Sequence, residues 1–96
     1  MGNMELKDTV EMMQSADYKE RFKAEYYQTK IRYEKLKAFN TKIEAAERAS
    51  YGCPPEVKVE MPKHDCPSDL LRNQQHVMGE YLHLLEVRAV IEGIEL

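Results

Sequence analysis

Tyrosine and basic residues are interleaved along one stretch of this chain, from Tyr18 to Lys42. A tyrosine ring can stack on a nucleobase, a contact worth about 1–3 kcal/mol, and an arginine can donate two parallel hydrogen bonds to a phosphate. Tyr18 and Arg21 are three residues apart, so on a helix they project from the same side of the first turn. Backbone N–H groups at a helix start add a partial positive charge. These residues predict a site for an anionic ligand that carries flat rings.

The positive charge of this stretch is local. Residues 19–42 contain eight basic and three acidic side chains, whereas the whole chain has 14 basic and 17 acidic residues and a net charge of -3. A protein that binds nucleic acid non-specifically carries its basic excess over the whole domain, because its affinity comes from counterion release along an extended track. The sequence therefore favours a small anionic ligand over bulk nucleic acid. A solvated helix face is the alternative, since lysine and glutamate on a long exposed helix often bind nothing.

The size and composition of the chain indicate one helical domain with a thin core. A chain of 96 residues buries only about 60% of its unfolded surface. No segment approaches the ~18 apolar residues that a membrane-spanning helix needs. The first 14 residues mix charged and apolar side chains, unlike a signal peptide. We therefore expect a soluble protein in the cytoplasm.

The sequence lacks the motifs that would indicate an enzyme or a metal protein. It contains no Gly-rich phosphate loop, no GxSxG and no HExxH. Cys53 and Cys66 flank a proline-rich loop, and without a secretory signal we expect no structural disulfide between them. His64 and Cys66 supply only two of the four ligands of a structural zinc site. We expect a protein that binds its ligand without catalysis, metal or cofactor.

The hydrophobic pattern predicts an all-α fold. We predict a short amphipathic helix in residues 1–14 and a long antiparallel helical hairpin in residues 15–96. Within the hairpin, the first helix is predicted over 15–49, the loop over 50–66 and the second helix over 67–93.

Local signals set these boundaries. Asn3 and Ser15 are candidate N-caps for the first two helices, and the Gly-Cys-Pro-Pro run at 52–55 must end the long one. Pro67 suits the first turn of the last helix. Val57–Met61 alternates apolar and polar residues like a strand, but it has no partner. We therefore expect an extended arm there, or a ribbon that pairs with a second chain.

The second long helix carries two apolar stripes, which together are wider than one partner helix can cover. One stripe contains Leu70, Val77, Tyr81, Leu84, Arg88 and Ile91, and the other contains Leu71, Met78, Leu82, Leu85 and Ala89. We therefore predict a homo-oligomer in which another protomer covers the remaining face. Because Arg88 lies within an apolar stripe, we expect it to have a carboxylate partner, such as Glu86 of a neighbouring chain, or to line a cavity. Gly79 predicts a close approach of the two helices, with simple tolerance of a glycine in the helix as the alternative.

Some candidate ligand residues could equally serve the fold. Tyr26 and Tyr33 fall on the apolar stripe of the first long helix, so we expect them in the core with their hydroxyls at the surface. Tyr18 ends that stripe and fits a packing role as well as a site. Arg72, near the start of the last helix, is expected opposite the far end of the first long helix, where it adds positive charge.

Three segments of the sequence also resemble a known protein family. They are Ala16–Arg21, Arg32–Leu36 and a set that comprises Cys66-Pro67, Leu70-Leu71, Gln74 or Gln75, Met78, Tyr81-Leu82, Leu85-Glu86 and Arg88. This pattern resembles the phage anti-CBASS and anti-Thoeris sponge hairpins. The resemblance implies a small helical homo-oligomer, with a hexamer as one candidate, encoded by a phage or prophage and located in the host bacterial cytoplasm. It also implies sequestration of a cyclic di- or trinucleotide, or a related immune signal, between protomers and without cleavage.

The resemblance further implies individual contact residues. In the family, a tyrosine near the start of the hairpin and a lysine toward the end of its first long helix contact the nucleotide, and Tyr18 and Lys35 match these positions. Lys30 is the alternative to Lys35 if the spacing shifts by a few residues. Arg21 and Arg72 join the candidate ligand-binding residues on the charge argument alone.

Two functions stay open at this point. The first is a ligand-sequestering sponge, and the second is a helical module for self-assembly or for a protein partner, without a small-molecule site. The connection over residues 40–65 is longer than in the hairpins that the chain resembles, so it could reshape or cover a pocket. Tyr18 and Lys35 are too far apart on one helix to contact the same small ligand. A site that uses both residues requires a second protomer.

Overall fold

Three helices form the part of the chain that the computed structural model describes, residues 4–96. Helix α1 spans Asp8–Met13, α2 spans Tyr18–Gly52 and α3 spans Ser68–Glu92. These residues include no strand, so the predicted all-α fold is confirmed. The Val57–Met61 arm has no regular secondary structure. None of the described helices combines the length and the hydropathy that a membrane crossing requires.

The start of α2 is fixed by Asp17 rather than by Ser15. The Asp17 carboxylate accepts a hydrogen bond from the Lys19 backbone N–H at 3.0 Å, which satisfies one of the free donors of the first turn. The Ser15 hydroxyl instead accepts from the Asp17 N–H at 3.0 Å. The helix therefore begins at Tyr18, later than the predicted start at residue 15.

The end of α2 lies at Gly52, beyond the predicted end at residue 49. A glycine costs a helix only about 1 kcal/mol and still has its N–H, so Gly52 does not break the helix. Cys53 donates to the Ala49 carbonyl at 3.3 Å, although its own backbone is extended at φ -104° and ψ 154°. The ring of Pro54 disfavours a helical conformation in the residue before it. The proline, and not the glycine, ends the helix.

Helix α3 ends in a glycine turn. Gly93 has a positive φ of 70°, a conformation that costs a glycine little. The Ile94 N–H donates to the Ala89 carbonyl at 2.8 Å, which closes a Schellman motif. The turn places the Ile94 side chain in the core, where it is only 6% exposed.

The main core lies between α2 and α3, and it uses only one of the two apolar stripes of α3. Its buried residues are Phe22, Tyr26, Leu82, Leu85, Ala89 and Ile94. The other stripe stays at the surface, with Leu70, Val77, Tyr81, Leu84 and Ile91 each between 40% and 78% exposed. We call these five residues the open face of α3. The prediction that α2 alone cannot cover the apolar surface of α3 is confirmed for this single chain.

Two contacts set how closely the long helices approach. A Cβ atom at Gly79 would lie 3.3 Å from Cε1 of Tyr33, so the glycine makes room for the tyrosine ring and the predicted close approach is confirmed. Asn40 is buried and donates through Nδ2 to the Leu71 carbonyl at 3.1 Å and to Oε1 of Gln75 at 2.9 Å. This amide fixes the register of the two helices near the loop.

Helix α1 packs against α2. Thr9 is completely buried there, and its hydroxyl donates to the Leu6 carbonyl at 2.7 Å. Gln28 of α2 donates to Sδ of Met13 at 3.7 Å. The helix is shorter than the predicted 1–14 segment, and the candidate cap Asn3 lies outside the described residues.

The described chain, with α1 included, is elongated. Its radius of gyration is 17.4 Å, whereas a compact domain of this length has about 12–13 Å. Its accessible surface is 7309 Å², against about 5,700 Å² for a typical monomer of the same mass. The single chain therefore leaves an unusually large surface uncovered.

Candidate functional site

Tyr18 is the first residue of α2, and its side chain meets the end of α3. The Tyr18 hydroxyl donates to Oε1 of Glu92 at 2.7 Å and accepts from Nη2 of Arg88 at 2.8 Å. Arg88 also donates through Nε to Oε2 of Glu92 at 3.2 Å. The three polar groups therefore form a closed triangle that joins the start of α2 to the end of α3.

Phe22 supports this triangle from the core side. The guanidinium carbon of Arg88 lies 5.0 Å from the centroid of the Phe22 ring, a cation–π distance. The rings of Tyr18 and Phe22 meet edge to face, with centroids 6.2 Å apart and planes at 62°. Phe22 itself is buried, so it gives Tyr18 and Arg88 a rigid platform. We call Tyr18, Phe22, Arg88 and Glu92 the Tyr18 cluster.

The hydrogen bonds of the cluster favour the charged forms of its ionisable pair. The hydrogen bond from Tyr18, followed by that from Arg88, lowers the pKa of Glu92. The hydrogen bond to Glu92 raises the pKa of Tyr18 and also raises the pKa of Arg88. At neutral pH the cluster therefore holds a carboxylate, a guanidinium and a neutral phenol.

The Tyr18 cluster is open to solvent. Tyr18 is 46% exposed, and the side chains of Arg88 and Glu92 are 51% and 31% exposed. An accessible tyrosine ring beside a guanidinium can stack on a flat heterocycle while the guanidinium contacts an anionic group. Among the contact residues predicted from the sequence, Tyr18 has a ring hydroxyl that accepts a hydrogen bond from a guanidinium.

Arg21 lies at the same end of α2 as Tyr18, as predicted, but its side chain is turned toward the preceding turn. Its Nη1 donates to the Ser15 carbonyl at 2.9 Å. The side chain is exposed, so this bond does not remove it from solvent. The structure therefore brings Arg88, rather than Arg21, into contact with Tyr18.

Lys30 lies near the middle of α2, beside acidic groups. Its Nζ is 5.9 Å from the centroid of the Tyr26 ring, and the Tyr26 hydroxyl donates to Oε2 of Glu86 at 2.6 Å. Burial and this hydrogen bond raise the pKa of Tyr26. Glu34 and Glu86 line the same shallow cleft, of about 180 Å³. The two carboxylates make this cleft a poor place for a phosphate.

Arg88 has the carboxylate partner that the sequence predicts. This partner is Glu92 of the same helix, with Oε2 at 3.2 Å from Nε of Arg88, and residues four apart share a helix face. Glu86 of the same chain bonds instead to Tyr26 on α2. Pairing of Arg88 with Glu86 of a neighbouring chain stays a prediction.

Lys35 and Arg72 lie far from the Tyr18 cluster. Lys35 is exposed, and within residues 4–96 it forms no ion pair; it lies about 26 Å from Tyr18 along the helix axis. Arg72 is opposite the far end of α2, as predicted, with Nη1 at 3.7 Å from Oε1 of Glu47. It borders an open cleft of about 390 Å³ that also includes Tyr51. One protomer therefore does not bring these residues to one site.

Among residues 4–96, no three histidine, cysteine, aspartate or glutamate side chains converge on one point. Cys53 and Cys66 are exposed free thiols. The Tyr18 cluster offers a ligand a ring to stack on, hydrogen-bond donors and a positive charge.

Three members of the Tyr18 cluster, Phe22, Arg88 and Glu92, are not among the contact residues predicted from the sequence. The Arg88–Glu92 pair has the i,i+4 spacing of a helical ion pair, so the sequence carries a signal for it. The contact of this pair with Tyr18 joins residues 70 and 74 positions apart. That contact depends on how α2 and α3 pack, and no local pattern indicates it.

Comparison with known proteins gives one match. A family model described as Sequestin matches residues 16–91, which include all of α3 except its last residue and the whole of α2. No curated protein and no solved structure matches the chain. All members of the Tyr18 cluster except Glu92 lie inside the matched region.

Proposed function

Because this chain belongs to the Sequestin family, we propose that it binds and sequesters a cyclic di- or trinucleotide signal without cleaving it. The family name denotes a sequestering protein. A sponge of this kind lowers the free concentration of its ligand by mass action and needs no catalytic group. The proposed setting is the cytoplasm of a bacterial host, where a phage or prophage protein would withdraw an immune signal.

The observation that carries the proposal is the exposed ring of Tyr18 beside the guanidinium of Arg88, which lie in hydrogen-bond contact. Cyclic nucleotides combine flat bases with phosphates in one small molecule. Stacking of one base on a tyrosine contributes about 1–3 kcal/mol. A charge-assisted hydrogen bond to a phosphate adds specificity for the anionic part of the ligand.

Because Tyr18 and Lys35 are far apart on α2, a ligand that contacts both residues must bind between two protomers. A separation of about 26 Å along one helix is too great for one cyclic dinucleotide. A second copy could bring its Lys35 to the Tyr18 cluster of the first. We therefore propose that the sponge is a homo-oligomer whose ligand contacts come from two copies.

The surface of the chain supports self-association. The accessible surface of 7309 Å² exceeds that of a typical monomer of this mass by about 1,600 Å². A standard protein interface removes about 800 Å² from each partner, so the excess is enough for one or two such interfaces. The open face of α3 supplies an apolar stripe for one of them.

Titration calorimetry with cyclic di-AMP, cyclic di-GMP and cyclic tri-AMP tests the proposal. We expect saturable binding of at least one of them, and the ligand recovered after denaturation should be unchanged. At a ligand concentration of 100 times the dissociation constant, the folded state should gain about 2.7 kcal/mol. Absence of heat and of thermal stabilisation with all three ligands would refute sequestration of these signals.

Two substitutions with matched controls locate the site. We expect Tyr18→Ala to weaken binding by about 5- to 150-fold, the equivalent of 1–3 kcal/mol, whereas Tyr51→Ala, at a tyrosine that is 92% exposed, should not. We expect Lys35→Ala to weaken binding, whereas Lys37→Ala, on another side of the helix, should have little effect. If each variant changes the dissociation constant by the same factor as its control, Tyr18 and Lys35 are not the ligand contacts.

The open face of α3 favours a second candidate function, a helical module that binds a protein partner and no nucleotide. In that case an immobilised chain should retain a defined host or phage protein, and a large excess of cyclic nucleotide should not release it. The sponge predicts no such partner. Lys35→Ala would leave the activity of an interaction module unchanged, because the basic stretch would then be only a solvated surface.

A further inference from the structure

Glu92 occupies the position in the Tyr18 cluster that an anionic ligand would need. Its two carboxylate oxygens accept from the Tyr18 hydroxyl at 2.7 Å and from Nε of Arg88 at 3.2 Å. A phosphate presents the same kind of oxygen acceptor to the same donors. The carboxylate and a phosphate therefore compete for Tyr18 and Arg88.

Arg88 is already placed for this exchange. The guanidinium carbon lies 5.0 Å from the centroid of the Phe22 ring, while about half of the side chain remains exposed. The contact with Phe22 does not depend on Glu92, so Arg88 can keep its position when its hydrogen-bond acceptor changes. A planar guanidinium also suits bidentate phosphate binding better than the ammonium group of a lysine.

Glu92 can leave the cluster with a small movement. It is the last residue of α3, and among residues 4–96 its side chain bonds to Tyr18 and Arg88 through its two carboxylate oxygens. Rotation about its side-chain bonds would move the carboxylate into solvent without moving the helix. The change would open the guanidinium and the phenol to an incoming anion at the same time.

We propose that Arg88 binds a phosphate of the ligand beside Tyr18, and that Glu92 holds the place of this phosphate in the unliganded protein. This inference rests on the proposed function and adds to it a phosphate-binding residue and an internal competitor. Ligand binding exchanges the two hydrogen bonds to Glu92 for hydrogen bonds to the phosphate. Glu92 thereby weakens the binding of every anion and favours ligands that also stack on Tyr18.

Calorimetry on the full chain with cyclic di-AMP, cyclic di-GMP and cyclic tri-AMP tests separately whether Arg88 binds the phosphate and whether Glu92 competes with it. Glu92→Gln removes a negative charge about 5 Å from the bound phosphate and should tighten binding about fivefold. Glu95→Gln, the matched control, makes the same change in net charge three residues further along and should alter affinity less than twofold. Arg88→Met keeps an unbranched apolar side chain beside Phe22 but removes the guanidinium, and it should weaken binding tenfold or more.

The gain of affinity in Glu92→Gln is the decisive result, because a damaged fold lowers affinity and does not raise it. Unchanged or weaker binding by Glu92→Gln, or unchanged binding by Arg88→Met, would overturn the inference while the wild-type chain still binds nucleotide as a sponge. If the wild-type chain binds none of the three probes, the inference and the proposed function both fail.

Discussion

Replacing Val77 by lysine places a charge in the centre of the open face of α3. Val77 is 54% exposed in the single chain, so about half of its surface is available to a second copy. Full burial of a valine or leucine side chain is worth roughly 1.5–3 kcal/mol. Burial of the exposed half of Val77 in an interface therefore contributes about 1 kcal/mol per copy to the free energy of association. Across a two-fold interface this is about 2 kcal/mol, which corresponds to about 30-fold in the dissociation constant of the dimer.

The lysine should weaken association further, because its ammonium group must lose water when the interface closes. We expect sedimentation velocity or light scattering to show an oligomer for the wild-type chain at micromolar concentration and a shift toward monomer for Val77→Lys. Circular dichroism should show the same helix content for both.

Val10→Lys is the matched control. Val10 is 50% exposed but lies on α1, so the substitution makes the same chemical change at nearly the same exposure outside the open face. We expect its oligomer to be unchanged. The reasoning is refuted if the wild-type chain is a monomer throughout the concentration series, or if Val10→Lys and Val77→Lys dissociate to the same extent.

Three further predictions concern the fold and the cluster. Tyr26→Phe removes a 2.6 Å hydrogen bond to a carboxylate and should cost about 1–2 kcal/mol, seen as a Tm lowered by about 5–10 °C; an unchanged Tm would contradict this. A glycine replaced by alanine inside a helix usually raises the free energy of unfolding by about 1 kcal/mol, but Gly79→Ala should not, because its Cβ would lie 3.3 Å from Tyr33. Denaturant unfolding should show the gain in stability when Gly79→Ala is combined with Tyr33→Leu. The pKa of the Glu92 carboxyl should lie below its ordinary value of 4.5, so its contribution to stability is complete above pH 4.5 and is lost as pH falls through the lowered pKa. NMR titration of Tyr18→Phe should show a higher pKa for Glu92 than in the wild-type chain. An unchanged pKa in this variant would exclude the hydrogen bond from Tyr18 as the cause of the lowered pKa.

The sequence predicts the architecture well because the signal is local. The 3.6-residue spacing of apolar side chains places Phe22 and Tyr26 on one face of α2, and both are buried. The two stripes of α3 separate in the same way into a core stripe and an open face. The helix ends are predicted less well, since Gly52 and Pro54 are both breakers in the sequence and only the proline acts as one.

The candidate site is only partly predictable from the sequence. The types of residue at the start of α2 indicate what kind of ligand could bind, and they make Tyr18 a candidate contact residue. The partner of Tyr18 depends on the angle and register at which α3 crosses α2, and these are set by core packing over many residues. Arg88 and Glu92 therefore emerge as neighbours of Tyr18 only in three dimensions.

The central proposal is sequestration of an intact cyclic nucleotide by an oligomer, and native mass spectrometry with an equimolar mixture of cyclic di-AMP, cyclic di-GMP and cyclic tri-AMP tests it most directly. It reports the number of protein copies and the mass of the bound ligand in one spectrum. We predict an oligomer that carries one or more ligands of unaltered mass, and loss of these adducts in Tyr18→Ala. A spectrum without nucleotide adducts, or with adducts only of cleaved nucleotide, would contradict the proposal.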